Sequence, residues 1–129
     1  MTYVKPTDPI LYTGNGPKFT MLASGNIDAG QFLTSIGTMK AIIAGAVENA
    51  VIGVAQYDAD HGNNVTVLGK GNVVRCIVEG SSVCAVGDDM MTVGTEGKVS
   101  NAGLDVGLKI GVALETQATD DGTVRLLLV

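Results

Sequence analysis

The sequence is poor in the residues that most active sites and nucleic-acid interfaces need. It has one histidine, no tryptophan, two phenylalanines and three tyrosines, and only 16 % of its residues are charged, against about 25 % in an average globular chain. Because phosphate recognition depends on a basic surface, the net charge of −5 argues against a nucleic-acid partner. The hydrophobic content of 46 % excludes a disordered chain, because a sequence with that many apolar residues can bury enough apolar surface to fold.

Long hydrophobic runs are also missing. No run approaches the roughly 18 residues that cross a membrane, and residues 1–9 lack the charged and then apolar pattern of a secretory peptide. We therefore expect a soluble protein made in the cytosol, with no membrane partner and no cofactor. Thiols stay reduced in that compartment, so Cys76 and Cys84 are expected to be reduced and partly buried. No further ligands lie near them in the sequence, which argues against a metal site.

Proline is confined to the start of the chain, at Pro6, Pro9 and Pro17. Because proline fixes φ and removes a backbone donor, this stretch disfavours both helix and central strand. We expect residues 1–17 to form an extended arm and residues 18–129 to form a single β domain. The arm carries apolar residues that a solvated tail would avoid, so we expect it to pack on another surface, either its own barrel or a partner. The residues expected to make that contact are Tyr3, Val4, Pro6, Pro9, Ile10, Leu11 and Tyr12.

After the arm, short β-branched runs alternate with turns that contain glycine. Such runs suit a pleated, half-buried surface, and turn signals every 8–12 residues or so are typical of an all-β sandwich or barrel. A brief helical turn within 41–47 is an alternative, but no window sustains a helical period. About ten short strands are predicted, over residues 18–23, 31–36, 39–44, 51–57, 64–68, 73–79, 90–93, 98–100, 109–115 and 123–128.

A repeated tetrapeptide indicates that the body contains two related units. Ile-Gly-Val-Ala at residues 52–55 recurs at residues 110–113, and each copy is followed by an acidic stretch, a glycine and a strand. The related halves span about 20–70 and 78–129. Because neither half is long enough to be comfortably stable alone, we expect one compact β-barrel or sandwich built from both.

The acidic turn after the first tetrapeptide holds the one histidine, His61, beside Asp58 and Asp60. A general base needs a positioned partner and a pocket. A calcium loop needs a glycine at its sixth position and a glutamate at its twelfth, where this sequence has Asn63 and Gly69. We therefore expect an exposed hairpin turn here; a loose calcium site formed by Asp58 and Asp60 is the alternative.

Other possible sites have simpler structural explanations. Residues 69–72 lack the spacing of a phosphate-binding loop and are expected to form a β-turn. The adjacent carboxylates at 88–89 and 120–121 are expected to be solvated turn charges, since neighbours in a strand point to opposite faces. No serine or cysteine has a visible base partner. An enzyme is therefore not predicted.

The order of these motifs is similar to that of a known family. A proline-rich extended start leads into a β domain rich in glycine and valine, with Ala29-Gly30-Gln31-Phe32-Leu33 ahead of the first tetrapeptide. Further motifs follow at residues 52–59, 65–73, 86–90, 97–99 and 110–115. Over nearly its whole length the chain resembles the capsid decoration, or head cement, proteins of tailed bacteriophages.

The resemblance implies a structural protein that binds the outer surface of an icosahedral head and bridges major capsid subunits. Its partners would be the major capsid protein and itself, as a homotrimer, on a virion assembled in the cytoplasm of a bacterial host. The segment Tyr3–Tyr12 matches the arm that makes capsid contacts in several members. Two other hypotheses are a β module that binds carbohydrate or a cell surface, which the few aromatics of the body disfavour, and a β-barrel hydrolase using Asp58, Asp60 or His61.

Overall fold

A computed structural model describes residues 11–44, 51–78, 84–93, 97–101, 109–116 and 122–129. Within these ranges the chain forms eleven β-strands and no helix, which confirms the all-β fold expected from the sequence. Residues 41–43, where a helical turn was the alternative, belong to a strand. The strands are β1 (Leu11–Gly14), β2 (Lys18–Ala23), β3 (Phe32–Gly37), β4 (Lys40–Ile43), β5 (Val51–Ala55), β6 (Asn64–Leu68), β7 (Asn72–Ile77), β8 (Asp89–Val93), β9 (Lys98–Ser100), β10 (Gly111–Ala113) and β11 (Thr123–Leu128).

The first half of the chain forms a closed five-stranded barrel, which we call the first unit (residues 18–68), in the order β2-β4-β3-β5-β6. Its strands pair antiparallel except for β2 and β4, which run parallel. In β2, inward-facing apolar residues alternate with exposed ones, as expected for a strand with one solvated face. A hydrophobic cluster fills the barrel, including Met21, Ala23, Leu33, Val65 and Val67.

The second half of the chain, together with β1, forms a six-stranded sheet in the order β1-β7-β11-β10-β8-β9. We call residues 72–128 the second unit. Its pairings repeat those of the first unit: β7 pairs with β11 as β2 pairs with β6, and β8 lies between β9 and β10 as β3 lies between β4 and β5. A single parallel bridge between Val78 and Val99 stands where β2 and β4 close the barrel. The sequence repeat is therefore a repeat of topology.

The two units also share one turn, at residues 28–31 and 85–88. In both copies the backbone amide of the first residue donates to the side chain of the fourth, Gln31 or Asp88, at 2.8 Å. The third residue is a glycine with φ near +90°, a conformation that glycine adopts without strain. Each turn precedes the strand that pairs with the tetrapeptide, β3 or β8.

The glycine of the repeated tetrapeptide is required by a close backbone approach. A Cβ atom at Gly53 would collide with the carbonyl oxygen of Leu68 in β6. A Cβ atom at Gly111 would lie 2.8 Å from the Leu127 carbonyl oxygen in β11, the strand equivalent to β6. In both units the strand that carries the tetrapeptide is thus pressed against its partner strand.

One hydrophobic core joins the two units. Its fully buried members come from both, with Phe32, Val54 and Leu68 in the first unit and Val74 and Leu126 in the second. The backbone amide of Phe32 also donates to the carbonyl oxygen of Gly97 at 3.1 Å. The two units therefore bury apolar surface against each other, in addition to the cluster inside the barrel of the first unit.

Candidate functional site

The arm predicted from the sequence ends in a strand of this chain's own sheet. Leu11 and Tyr12 lie in β1, which pairs antiparallel with β7 and has an irregular register between Leu11 and Thr13. Leu11 also packs against the shared core. Five predicted arm residues lie outside the described residues: Tyr3, Val4, Pro6, Pro9 and Ile10. Within the described part of the chain, β1 is an edge strand with β7 as its neighbour.

Buried Asn72 fixes the place where the arm joins the domain. Its side-chain amide donates to the carbonyl oxygens of Pro17 at 3.2 Å and Gly69 at 3.1 Å. A Cβ atom at Gly14 would lie 2.6 Å from Asn72 Oδ1, and one at Gly16 would collide with the Lys70 carbonyl oxygen. These two glycines therefore let the chain after β1 lie directly on the 69–72 turn.

The loop with the one histidine has a structural role in this fold. Asp58 Oδ1 accepts a hydrogen bond from the Ala29 amide at 2.9 Å, and the backbone amide of His61 donates to Asn26 Oδ1 at 2.9 Å. Asp58, Asp60 and His61 are all exposed. Among the described residues, no three His, Cys, Asp or Glu side chains lie close enough to hold a metal ion.

Both cysteines are free thiols buried in the shared core. Burial raises the pKa of the Cys76 thiol well above its usual range, and the nearby Cys84 raises it further. The Sγ atoms lie 3.8 Å from the Val124 carbonyl oxygen for Cys76 and 3.9 Å from the Glu115 carbonyl oxygen for Cys84. Since the thiolate is the reactive form, Cys76 is held in its unreactive, protonated state.

The two arginines of the chain lie opposite each other on neighbouring strands, which sequence reasoning did not reveal. Arg75 of β7 pairs in register with Arg125 of β11. Glu115 contacts both: it accepts hydrogen bonds from Arg125 N at 3.0 Å and Arg125 Nε at 3.1 Å, and its Oε1 lies 3.7 Å from Arg75 Nη1. Arg75 Nη1 also donates to Thr123 Oγ1 at 3.1 Å. These contacts hold both guanidinium groups on the outer face of the sheet.

Two large exposed hydrophobic residues lie in, or bond to, the 114–116 segment that carries Glu115. Leu114 is 43 % exposed, and its amide donates to the Arg125 carbonyl oxygen at 2.9 Å. Val86 is 65 % exposed, and its amide lies 3.4 Å from Thr116 Oγ1. We call Arg75, Arg125, Glu115, Leu114 and Val86 the arginine face. It combines guanidinium donors with apolar surface, the composition typical of protein interfaces.

In the first unit, the loop after β5 exposes a different set of side chains. Tyr57 is 63 % exposed and is followed by Asp58 and Asp60, which are exposed as well. We call residues 57–60 the acidic loop. An exposed aromatic ring among carboxylates suits contact with a basic, partly apolar surface.

Comparison with known proteins gives two findings. A family model described as phage cement protein matches residues 12–128. A crystal structure described as the head fiber gp8.5 N base in bacteriophage phi29 is 27 % identical and superposes with a TM-score of 0.62, covering 88 % of this chain and 93 % of that one. None of the curated proteins matches the chain.

Proposed function

Because the chain belongs to the phage cement protein family, we propose that it bridges neighbouring major capsid subunits on the outer surface of an icosahedral phage head. A structural role on the phage capsid follows from the family and agrees with the similarity to a head fiber base. The family match favours this role over a carbohydrate-binding module and over a hydrolase. It also confirms the resemblance drawn from the sequence.

The pairing of β1 with β7 is the observation that carries the proposal. It anchors the end of the arm to the sheet, so that residues 1–10 precede a fixed strand. The outer edge of β1 presents backbone donors and acceptors, to which an extended segment of a capsid subunit can add as a further strand. Apolar residues among the first ten, such as Tyr3, Val4 and Ile10, would supply the side-chain contacts.

We also propose that several copies act together on the shell, as a homotrimer assembled onto heads in the cytoplasm of the host. Repeated copies on one lattice gain from avidity, because each bound arm raises the effective concentration of the next. A modest affinity for each contact is then enough to reinforce the shell.

The experiment that tests the proposal is deletion of residues 2–10, which leaves β1, Asn72 and the core in place. The shortened chain is expected to stay folded and to lose binding to expanded heads in a sedimentation assay. A matched variant with Tyr3, Val4 and Ile10 replaced by serine keeps the length of the arm and tests its apolar contacts. Full occupancy of heads by both variants would show that the arm is not the capsid-binding segment.

A further inference from the structure

We propose that the β3–β4 hairpin of one copy binds the outer face of the second unit of another copy, and so repeats between chains the contact that joins the two units within one chain. The inference rests on the proposed decoration of one head by several copies and assigns the contact between them. It uses surfaces other than residues 1–10, to which the proposed function gives the capsid contact.

Within one chain, the β8–β9 hairpin of the second unit touches the first unit. Gly97 lies directly before β9, and its carbonyl oxygen accepts a hydrogen bond from the Phe32 amide at 3.1 Å. A Cβ atom at Gly97 would lie 2.9 Å from Phe32 N, so the two backbones are in direct contact. The hairpin of one unit therefore covers the start of β3 in the other.

Phe32 belongs to a row of three residues that pair across neighbouring strands. It pairs with Val54, and Val54 pairs with Leu68. All three are fully buried, and they belong to the core shared with the second unit and not to the cluster inside the barrel. This row is thus the part of the first unit's outer face that the second unit covers.

The equivalent row of the second unit is partly exposed. The two tetrapeptides and the strand register align the first row with Asp89, Val112 and Leu127, in that order. Val112 and Leu127 are partly exposed, and the Asp89 side chain is 44 % exposed. Leu114 and Val129, each two residues beyond a member of this row, are exposed as well. We call Asp89, Val112 and Leu127 the outer row. The second unit therefore leaves open a largely apolar surface that the first unit buries.

The β3–β4 hairpin carries exposed apolar side chains at its turn. Ile36 is 56 % exposed and Met39 is 57 % exposed. Leu22 is 37 % exposed, and its amide donates to the Met39 carbonyl oxygen at 2.8 Å, so these two residues are neighbours. We call Leu22, Ile36 and Met39 the hairpin tip. Covering such apolar surface with a partner is favourable.

Met39 stands at the position of Gly97 in the repeat and has the backbone conformation of a glycine. Each of the two residues directly precedes the lysine that begins β4 or β9, and φ is 54° at Met39 and 68° at Gly97. Among the described residues, Met39 is the one non-glycine with a positive φ, a conformation that is unfavourable for a residue with a Cβ atom. Strained positions of this kind cluster at binding sites.

The same alignment gives the contact between copies. Met39 of one copy lies against Asp89 of the other, as Gly97 lies against Phe32 within the chain. Lys40 follows Met39 and is exposed, so its ammonium group can pair with the Asp89 carboxylate at the rim of the apolar contact. Because the contact joins unlike surfaces, it closes into a ring when the rotation between copies permits.

Replacement of Met39 by glycine tests the contact in the full chain. Light scattering should give more than one 13.2 kDa chain for the natural sequence, and Met39→Gly should lower the association constant by about tenfold or more. At a dilution where both chains are monomeric, its thermal unfolding midpoint should equal or exceed the natural one, because glycine relieves the positive φ. Tyr57→Ala is the matched control, since Tyr57 is 63 % exposed beyond the end of β5 remote from the hairpin tip. It should associate like the natural chain.

A charge swap tests whether these two surfaces meet. Met39→Glu sets a second carboxylate against Asp89 and should weaken association more than Met39→Gly does. Adding Asp89→Lys to Met39→Glu makes the pair complementary and should regain the mass. Monomers of the natural chain at every concentration, normal association of Met39→Gly, or a double variant without recovery would each overturn the proposal.

Head binding separates this inference from the proposed function. Deletion of residues 2–10 should abolish head binding without changing the solution mass, whereas Met39→Gly should lower the mass and still bind heads at high concentration. If Met39→Gly kept its mass and lost head binding, the hairpin tip would contact the capsid and the proposed contact between copies would be wrong.

Discussion

The side-chain amide of Asn72 donates a hydrogen bond to the carbonyl oxygen of Pro17, 3.2 Å away and 55 residues earlier in the chain. The same amide reaches the Gly69 carbonyl oxygen, so a single buried residue holds both the 69–72 turn and the end of the arm. The position of the arm on the domain therefore depends on one side chain that lies far from it in sequence.

Replacing Asn72 with alanine removes both side-chain hydrogen bonds, so that the Pro17 carbonyl keeps the Gly69 amide at 2.9 Å and the Gly69 carbonyl keeps the long contact from the Asn72 amide at 3.4 Å. We expect the free energy of unfolding to fall by about 1–3 kcal/mol. Hydrogen exchange should show a larger loss of protection in β1 than in β3, because β1 lies next to the lost contacts. Equal loss in the two strands would indicate that Asn72 stabilises the whole domain and does not position the arm.

Alanine at Gly53 or at Gly111 places a Cβ atom against the backbone of the partner strand. Each variant should lose about 2–4 kcal/mol in urea denaturation, as expected for overpacking at a close backbone approach. Gly25→Ala is the matched control, since its Cβ atom would lie 3.8 Å from Ile42 Cγ1, an ordinary contact. A loss of stability on replacing Gly53 but not on replacing Gly111 would show that the tetrapeptide packs differently in the two units.

The stability of the 85–88 turn should depend on pH through Asp88. Hydrogen bonds from the Ala85 backbone amide and then from the Asn101 side chain lower the pKa of this carboxyl below its ordinary value of 3.8. Its contribution is therefore complete above that value and is lost as the pH falls through the lower folded-state pKa. Unfolding followed from about pH 6 to about pH 2 should show this loss in the natural chain and less of it in Asp88→Asn. Identical pH profiles for the natural chain and Asp88→Asn would contradict a stabilising role of the Asp88 carboxylate.

The thiols should resist alkylation while the chain is folded. Burial keeps Cys76 protonated and closes access to both cysteines. Iodoacetamide at neutral pH is expected to leave the native protein unmodified and to modify both residues in urea, as measured by mass spectrometry. Cys84→Ser separates the two sites, and modification of the native chain at the rate of the unfolded one would rule out a closed core.

Much of the fold follows from local sequence signals. Strands β2, β6, β9 and β11 have the predicted bounds, because serine, glycine or asparagine follows each of the first three and a glycine precedes the fourth. Strand β1 was not predicted. It lies in the proline-free segment between Pro9 and Pro17, and the three prolines of residues 1–17 favoured an extended arm over a strand in the sequence analysis. The predicted ends of β5 at residue 57 and β10 at residue 115 overshoot, since both strands end at the alanine of the tetrapeptide.

The surface residues could not be found in the same way. Arg75 and Arg125 become neighbours through the register of two strands that are 50 residues apart in sequence, and no local pattern encodes that register. The tyrosine and the carboxylates of the acidic loop can be read from the sequence, but whether these side chains are exposed depends on the tertiary fold. The tetrapeptide was found as a repeat, while the reason for its glycine is a backbone contact with a distant strand.

The two units differ in how their first and third strands meet. In the first unit two consecutive residues of β2 pair with β4, whereas among the residues that the structure describes in the second unit a single bridge joins Val78 and Val99. Backbone hydrogen bonds hold each joint, and a joint of one bridge has fewer of them than a joint of two residue pairs. If the proposed bridging of capsid subunits pulls on the chain, the described part of the second unit is therefore expected to open before the closed barrel of the first unit.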